Sequence, residues 1–96
     1  MAGAQAAPVG YIAQVHAAGG RCVFQTGDVP FDRRQFEADL RARFDRAKGI
    51  LIYRTNGTPG RCVRAAISAA RHVGFVRVES ADAPADLDMG PPRTGP

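Results

Sequence analysis

Ninety-six residues, 45% of them hydrophobic, suffice for one small domain with tails, because a second core could not bury enough surface to offset its chain entropy. The net charge is +4 with a pI near 9.8, and 12 of the 13 basic residues are arginine. These run from Arg21 to Arg93 and alternate with acids instead of clustering in a stripe with aromatic stacking positions, which argues against a nucleic-acid partner. No run reaches the roughly 18 to 20 apolar residues of a membrane helix, and Met1 to Gly20 lacks a basic start followed by a continuous apolar stretch. The expectation is a soluble chain with no membrane span and no readable export signal.

In chain order, residues 1–9 are alanine-rich and interrupted by glycine, and are expected to be a disordered arm. Tyr11, Ala13 and Val15 then alternate with Ile12, Gln14 and His16. A second β-favouring run, Arg21 to Gln25, follows after Gly19-Gly20, and the pattern predicts a hairpin. His16 falls beside the turn with no second histidine or carboxylate near it in sequence, the setting of a solvated side chain.

After a turn at Thr26 to Pro30, Asp32 is placed to cap a helix with Gln35 reaching back, and Phe31 is placed to pack on Phe36. Phe36, Leu40, Phe44 and Ala47 form its apolar stripe. Glu37 with Arg41 and Asp39 with Arg43 stand at the i to i+4 spacing of helix ion pairs, and the helix is expected to run to Lys48 and end at Gly49.

Ile50 to Tyr53 reads as a buried strand, bounded by Gly49 and by the turn residues Thr55 to Gly60. Cys62, Ala65, Ala66, Ala69 and Val73 then recur at helical spacing, and their small size lets a helix lie close on a sheet. Gly74 is the expected cap, and Phe75 to Val78 the expected last strand, reached by a parallel crossover. Residues 80–96 are acidic and proline-interrupted and are expected to be a disordered tail. The fold class is therefore α+β in two layers: a small mixed four-stranded sheet, elements in the order β-β-α-β-α-β, both helices on one face, and one domain over residues 10–79.

The two cysteines, Cys22 and Cys62, form no CxxC pair and have no histidine at zinc spacing. Both read as small buried residues, with a disulfide left open should the compartment be oxidising. There is no nucleophile elbow, no histidine pair at metal spacing and no carboxylate cluster outside helix-pairing positions or the tail, so catalytic residues, a metal and a cofactor are not expected. Arg61 and Arg64, one turn apart at the start of the second helix, are the candidate contact for an anion.

The segments Phe24 to Phe31, Ile50 to Arg54, Pro59-Gly60-Arg61-Cys62-Val63 and Ala69 to Val78 together resemble the periplasmic domain of the ExbD/TolR family of biopolymer-transport proteins, over roughly Tyr11 to Val78. The likeness implies a non-catalytic protein-interaction module that forms a homodimer and engages a protein partner of the cell envelope, or the cell wall, through a sheet edge on the periplasmic side. The family's N-terminal membrane helix has no counterpart in this sequence, and its often acid-rich turn is here Thr55-Asn56-Gly57-Thr58. Phe75, Val76, Arg77 and Val78 are the candidate edge, being short, β-prone and followed by the tail. The alternative is a free-standing cytoplasmic adaptor or anion-binding domain that shares only the fold.

Overall fold

The computed structural model of the chain describes residues 9–55 and 57–84. Strands β1 (Val9–Ala18) and β2 (Arg21–Gln25) pair antiparallel, with Val15 opposite Phe24 and Ala17 opposite Cys22. Gly19 and Gly20 between them hold φ of 57° and 79°. Two successive positive φ values define the two-residue turn whose twist matches the flanking strands, so the expected hairpin forms as drawn.

A bend over residues 26–28 leads to a two-residue strand, β3 (Pro30–Phe31), which pairs antiparallel with β2 and sets Phe31 opposite Phe24. Helix α1 (Arg33–Arg43) follows at once. Asp32 accepts from the Gln35 amide at 2.8 Å while Gln35 Oε1 accepts from the Asp32 amide at 2.9 Å, which satisfies two otherwise unpaired donors of the first turn. Strand β4 (Gly49–Arg54) runs parallel to β1, helix α2 (Gly60–Val73) crosses over, and β5 (Val78–Asp82) runs parallel to β4. The sheet order is β3-β2-β1-β4-β5.

Register decides which face is buried. Ala13 and Val15 of β1, Phe24 of β2, and Ile50 and Ile52 of β4 share one face, and all are buried. Phe36 and Leu40 of α1 and Cys62, Ala66, Ala69 and Ala70 of α2 close over that face to complete a single core, with Phe24 and Phe36 stacked at 5.0 Å. The alanines on α2 bring its backbone near the strands, as small residues at a helix–sheet contact should. The opposite face carries Ile12, Gln14 and His16 of β1 beside Leu51 and Tyr53 of β4.

Four expectations need correction. Among the described residues the sheet has five strands, not four, because β3 is added and the element order becomes β-β-β-α-β-α-β. Helix α1 ends at Arg43, short of the expected Lys48. Phe44 leaves the helix at φ −60°, ψ 134°, and Asp45 closes the following turn by accepting from the Ala47 amide through its side chain and from the Lys48 amide through its carbonyl.

The third correction concerns the last strand, which was placed at Phe75–Val78 but forms at Val78–Asp82. Phe75 is 3% exposed and its ring stands edge-on to Tyr11 at 5.0 Å and to Phe44 at 4.9 Å, so burial of this aromatic holds the chain off the sheet for three more residues. Its amide still donates to Ala70 of the helix, and Gly74 takes the cap at φ 129° as expected. The ladder with β4 starts only at Arg77, whose carbonyl accepts from the Ile50 amide at 3.0 Å.

The fourth follows from the third, since strand structure passes the boundary set at residue 79 and Val9 already belongs to β1. The rest of the expected arm, residues 1–8, and of the expected tail, residues 85–96, lies outside the described residues.

Candidate functional site: the β5 edge beside helix α2

Among the described residues β5 is the last strand of the sheet, and one side of its backbone pairs with no other strand of them. Which groups face outward follows from the ladder. The Arg77 carbonyl accepts from Ile50 at 3.0 Å, and the Ala83 amide donates to the Arg54 carbonyl at 2.8 Å, so odd-numbered residues turn their backbone groups toward β4. By the alternation of a strand, Val78, Ser80 and Asp82 turn theirs outward. Their side chains lie on the helix side of the sheet, in register with Ile50, Ile52 and Arg54.

A depression of about 270 Å³ borders this edge, lined by Arg54, Val63 of α2, Ser80, Ala81 and Asp82. A second of similar size, lined by Arg54, Gly57, Thr58, Asp82 and Ala83, shares Arg54 and Asp82 with it, so the two form one groove past the end of β5. The groove's base is stiff. Thr55 donates its amide to the Val15 carbonyl at 3.3 Å, Thr58 donates its hydroxyl to the same carbonyl at 3.3 Å, and the two hydroxyls bond each other at 2.8 Å.

Charge at the edge is balanced within the protein. Asp82 accepts from Nε and Nη2 of Arg54 at 3.1 and 2.7 Å, and Glu79 accepts from Arg77 Nε at 2.7 Å. These exposed pairs add little to stability, yet they remove the net negative charge that would repel an incoming acidic strand.

Of the residues nominated as the edge, Phe75 is core, Val76 is 89% exposed in the loop before β5, and Arg77 gives its carbonyl to the first ladder bond. Val78 alone belongs to the strand. Ser80 and Asp82 were missed; the only trace of them in the sequence is an acid at position 82 suited to Arg54.

The anion contact also looks different in three dimensions. Arg61 spans to the hairpin, donating from Nη2 to the Gly20 carbonyl at 3.5 Å and from Nη1 to Cys22 Sγ at 3.3 Å, while the Arg64 guanidinium folds back over Gly60. Cys22 and Cys62, expected as small buried residues, are joined in a disulfide that ties β2 to α2, and Cys22 is only half-buried. His16 is half-buried on β1, opposite Val23.

A second polar cluster joins the helices. Glu37 receives Arg33 Nε at 3.0 Å, Arg41 at 3.5 Å and His72 Nδ1 at 2.9 Å, and Arg33 also reaches Ser68 of α2 at 3.0 Å. Burial works to raise the Glu37 carboxyl, but the hydrogen bonds from Arg33 and His72 outweigh it and hold its pKa below the usual 4.5. Among the described residues no group of three or more histidines, cysteines and carboxylates is set to hold a metal ion, and no helix is long and apolar enough to cross a membrane.

No protein-family model, curated protein or solved structure matches the chain.

Proposed function

We propose that this chain is a non-catalytic protein-interaction module that takes an extended strand onto β5, and that its first occupant is a second copy of itself. The outward backbone of Val78, Ser80 and Asp82 carries this reading. Three consecutive outward residues offer both donors and acceptors, and strand addition uses such groups for affinity while side-chain pockets set the choice of partner.

The edge is self-complementary. In an antiparallel pair centred on Ser80, Ser80 faces its own copy and Val78 faces Asp82, so every outward residue meets an outward residue and exchanges both bonds with it. Glu79 then faces Ala81, so no like charges stand directly opposite. Val63 and the groove beyond it would receive the side chains of the added strand.

The ExbD/TolR likeness supports the same conclusion by analogy, with dimerisation and an envelope partner as its content. A Cys22–Cys62 bridge persists in an oxidising compartment, which favours the periplasmic side over the cytoplasmic alternative. Amide hydrogen exchange measured at rising protein concentration tests the proposal. Protection of Val78, Ser80 and Asp82 should grow with concentration while Ile50 and Ile52 stay unchanged, and exchange at β5 that ignores concentration would overturn it.

A further inference from the structure

The Cys22–Cys62 bridge is chemically asymmetric. Cys62 is fully buried in the first turn of α2, whereas Cys22 lies half-buried on β2. Nη1 of Arg61 stands 3.3 Å from Cys22 Sγ and 3.7 Å from Cys62 Sγ, and the bond from Nη2 to the Gly20 carbonyl fixes the guanidinium over the sulfurs. The start of α2 has no side-chain cap at Pro59 and no acid in its first turn, so its own side chains leave the positive end unneutralised.

When a disulfide is attacked by a thiolate, the favoured path expels the sulfur that is better stabilised as an anion. The guanidinium lies against both sulfurs, slightly nearer Cys22, so it stabilises the developing thiolate without choosing between them, while the first turn of α2 favours Cys62 as the sulfur released. Access decides which sulfur is attacked: Cys22 is half-buried and Cys62 fully buried, so an incoming thiolate reaches Cys22. A depression of about 270 Å³ opens next to it, lined by Cys22 with Val23, Pro30 and Phe31, and with Arg21, Asp32 and Gln35. Arg21 and Asp32 on this wall offset each other, and Arg61 over the bridge is the charge that favours an anionic thiol.

We propose that Cys22 is a site of reversible mixed-disulfide formation with an anionic low-molecular-weight thiol. The incoming thiolate forms a bond to Cys22 Sγ, the Cys22–Cys62 bond breaks, and its electron pair leaves on Cys62 Sγ. The small thiol is thereby oxidised to the disulfide level as Cys62 is reduced to a thiolate. In the reverse step Cys62 attacks Cys22 Sγ, expels the small thiol and restores the bridge. This inference is independent of strand addition at β5.

The test uses the full chain with reduced glutathione as probe at neutral pH, followed by acid quench, alkylation and peptide mass analysis. The adduct is expected on Cys22 with the alkyl label on Cys62. Arg61→Gln should slow adduct formation roughly threefold to tenfold, while Arg61→Lys, which retains the cation, stays within about twofold of the parent. An adduct mainly on Cys62, no adduct on either residue, or equal rates in the parent and Arg61→Gln overturns the proposal. Site mapping needs only the parent protein, so the assignment stands or falls even if a variant folds poorly.

Discussion

Replacing Ser80 by proline separates an outward strand edge from a merely structural one. In the ladder of β4 and β5 the Ser80 amide points away from β4, so its loss removes no bond of that ladder, and proline is tolerated at an edge position whose N–H faces solvent. In an antiparallel pair centred on Ser80, the same change removes both bonds of the central pair and sets two rings in the gap. At about 1 kcal/mol net per bond this weakens association by about 2 kcal/mol, or roughly thirtyfold in Kd. Ala81→Pro is the matched control, since the Ala81 amide faces β4 and its loss should lower protomer stability by about 1 to 3 kcal/mol. Sedimentation equilibrium over a wide concentration range reads the first effect, and denaturant unfolding of dilute protein reads the second. A parent that stays monomeric throughout, or a Ser80→Pro variant that dimerises as tightly as the parent, would refute the reasoning.

Three further outcomes follow from the packing. The double variant Cys22→Ala, Cys62→Ala opens a loop of 40 residues and should lose about 4 kcal/mol on the chain-entropy account, read as a lower denaturant midpoint. Gly74→Ala forces a side chain into φ 129° with its Cβ 3.2 Å from the Phe44 ring, and should cost about 1 to 3 kcal/mol, or a drop in Tm of several degrees. Glu37→Gln should destabilise the protein near neutral pH. The folded pKa of Glu37 lies below its usual 4.5, so its contribution is fully present above that value and is lost as pH falls through the lowered one. The gap between parent and variant in urea unfolding should therefore close in acid, and a gap that persists there would sink the assignment.

The hairpin, the capping box of α1, the ion pairs of Glu37 and Asp39, and the Gly74 cap were legible because each is set by residues a few positions apart. Gly19-Gly20 can supply two positive φ values, Asp32 and Gln35 can close on each other, and no distant contact is needed for either. What failed depended on long-range packing. Pro30-Phe31 forms a strand by pairing with β2, where Phe31 meets Phe24, and Phe44, turned out of the helix ahead of the Asp45 turn, packs its ring on Phe75. Local pattern treats Phe75 to Val78 as a β run, since it contains aromatic and β-branched residues and follows a helix cap. The packing of buried Phe75 between the half-buried rings of Tyr11 and Phe44 overrides that preference, and an aromatic withdrawn into a core cannot also lie along an edge.

That override explains why the last strand lies further along the chain than Phe75 to Val78. An edge strand needs little hydrophobicity, because only one face of it is covered and one side of its backbone meets water, so Glu79-Ser80-Ala81-Asp82 can serve as strand while reading as tail. The first turn of α2 was underread for the opposite reason. Arg61 reads in sequence as a candidate anion contact and Cys62 as a small residue on an apolar stripe with a bridge left open, and the fold lays the hairpin against them and closes the bridge under the guanidinium. Consecutive residues of that turn then serve different surfaces: Arg61 and Cys62 hold the disulfide, and Val63 lines the groove at β5. The structure thus gives the two surfaces a shared support in α2, and it makes bridge state a variable to fix when strand addition is measured. Association assays run with the bridge intact report on the β5 edge alone.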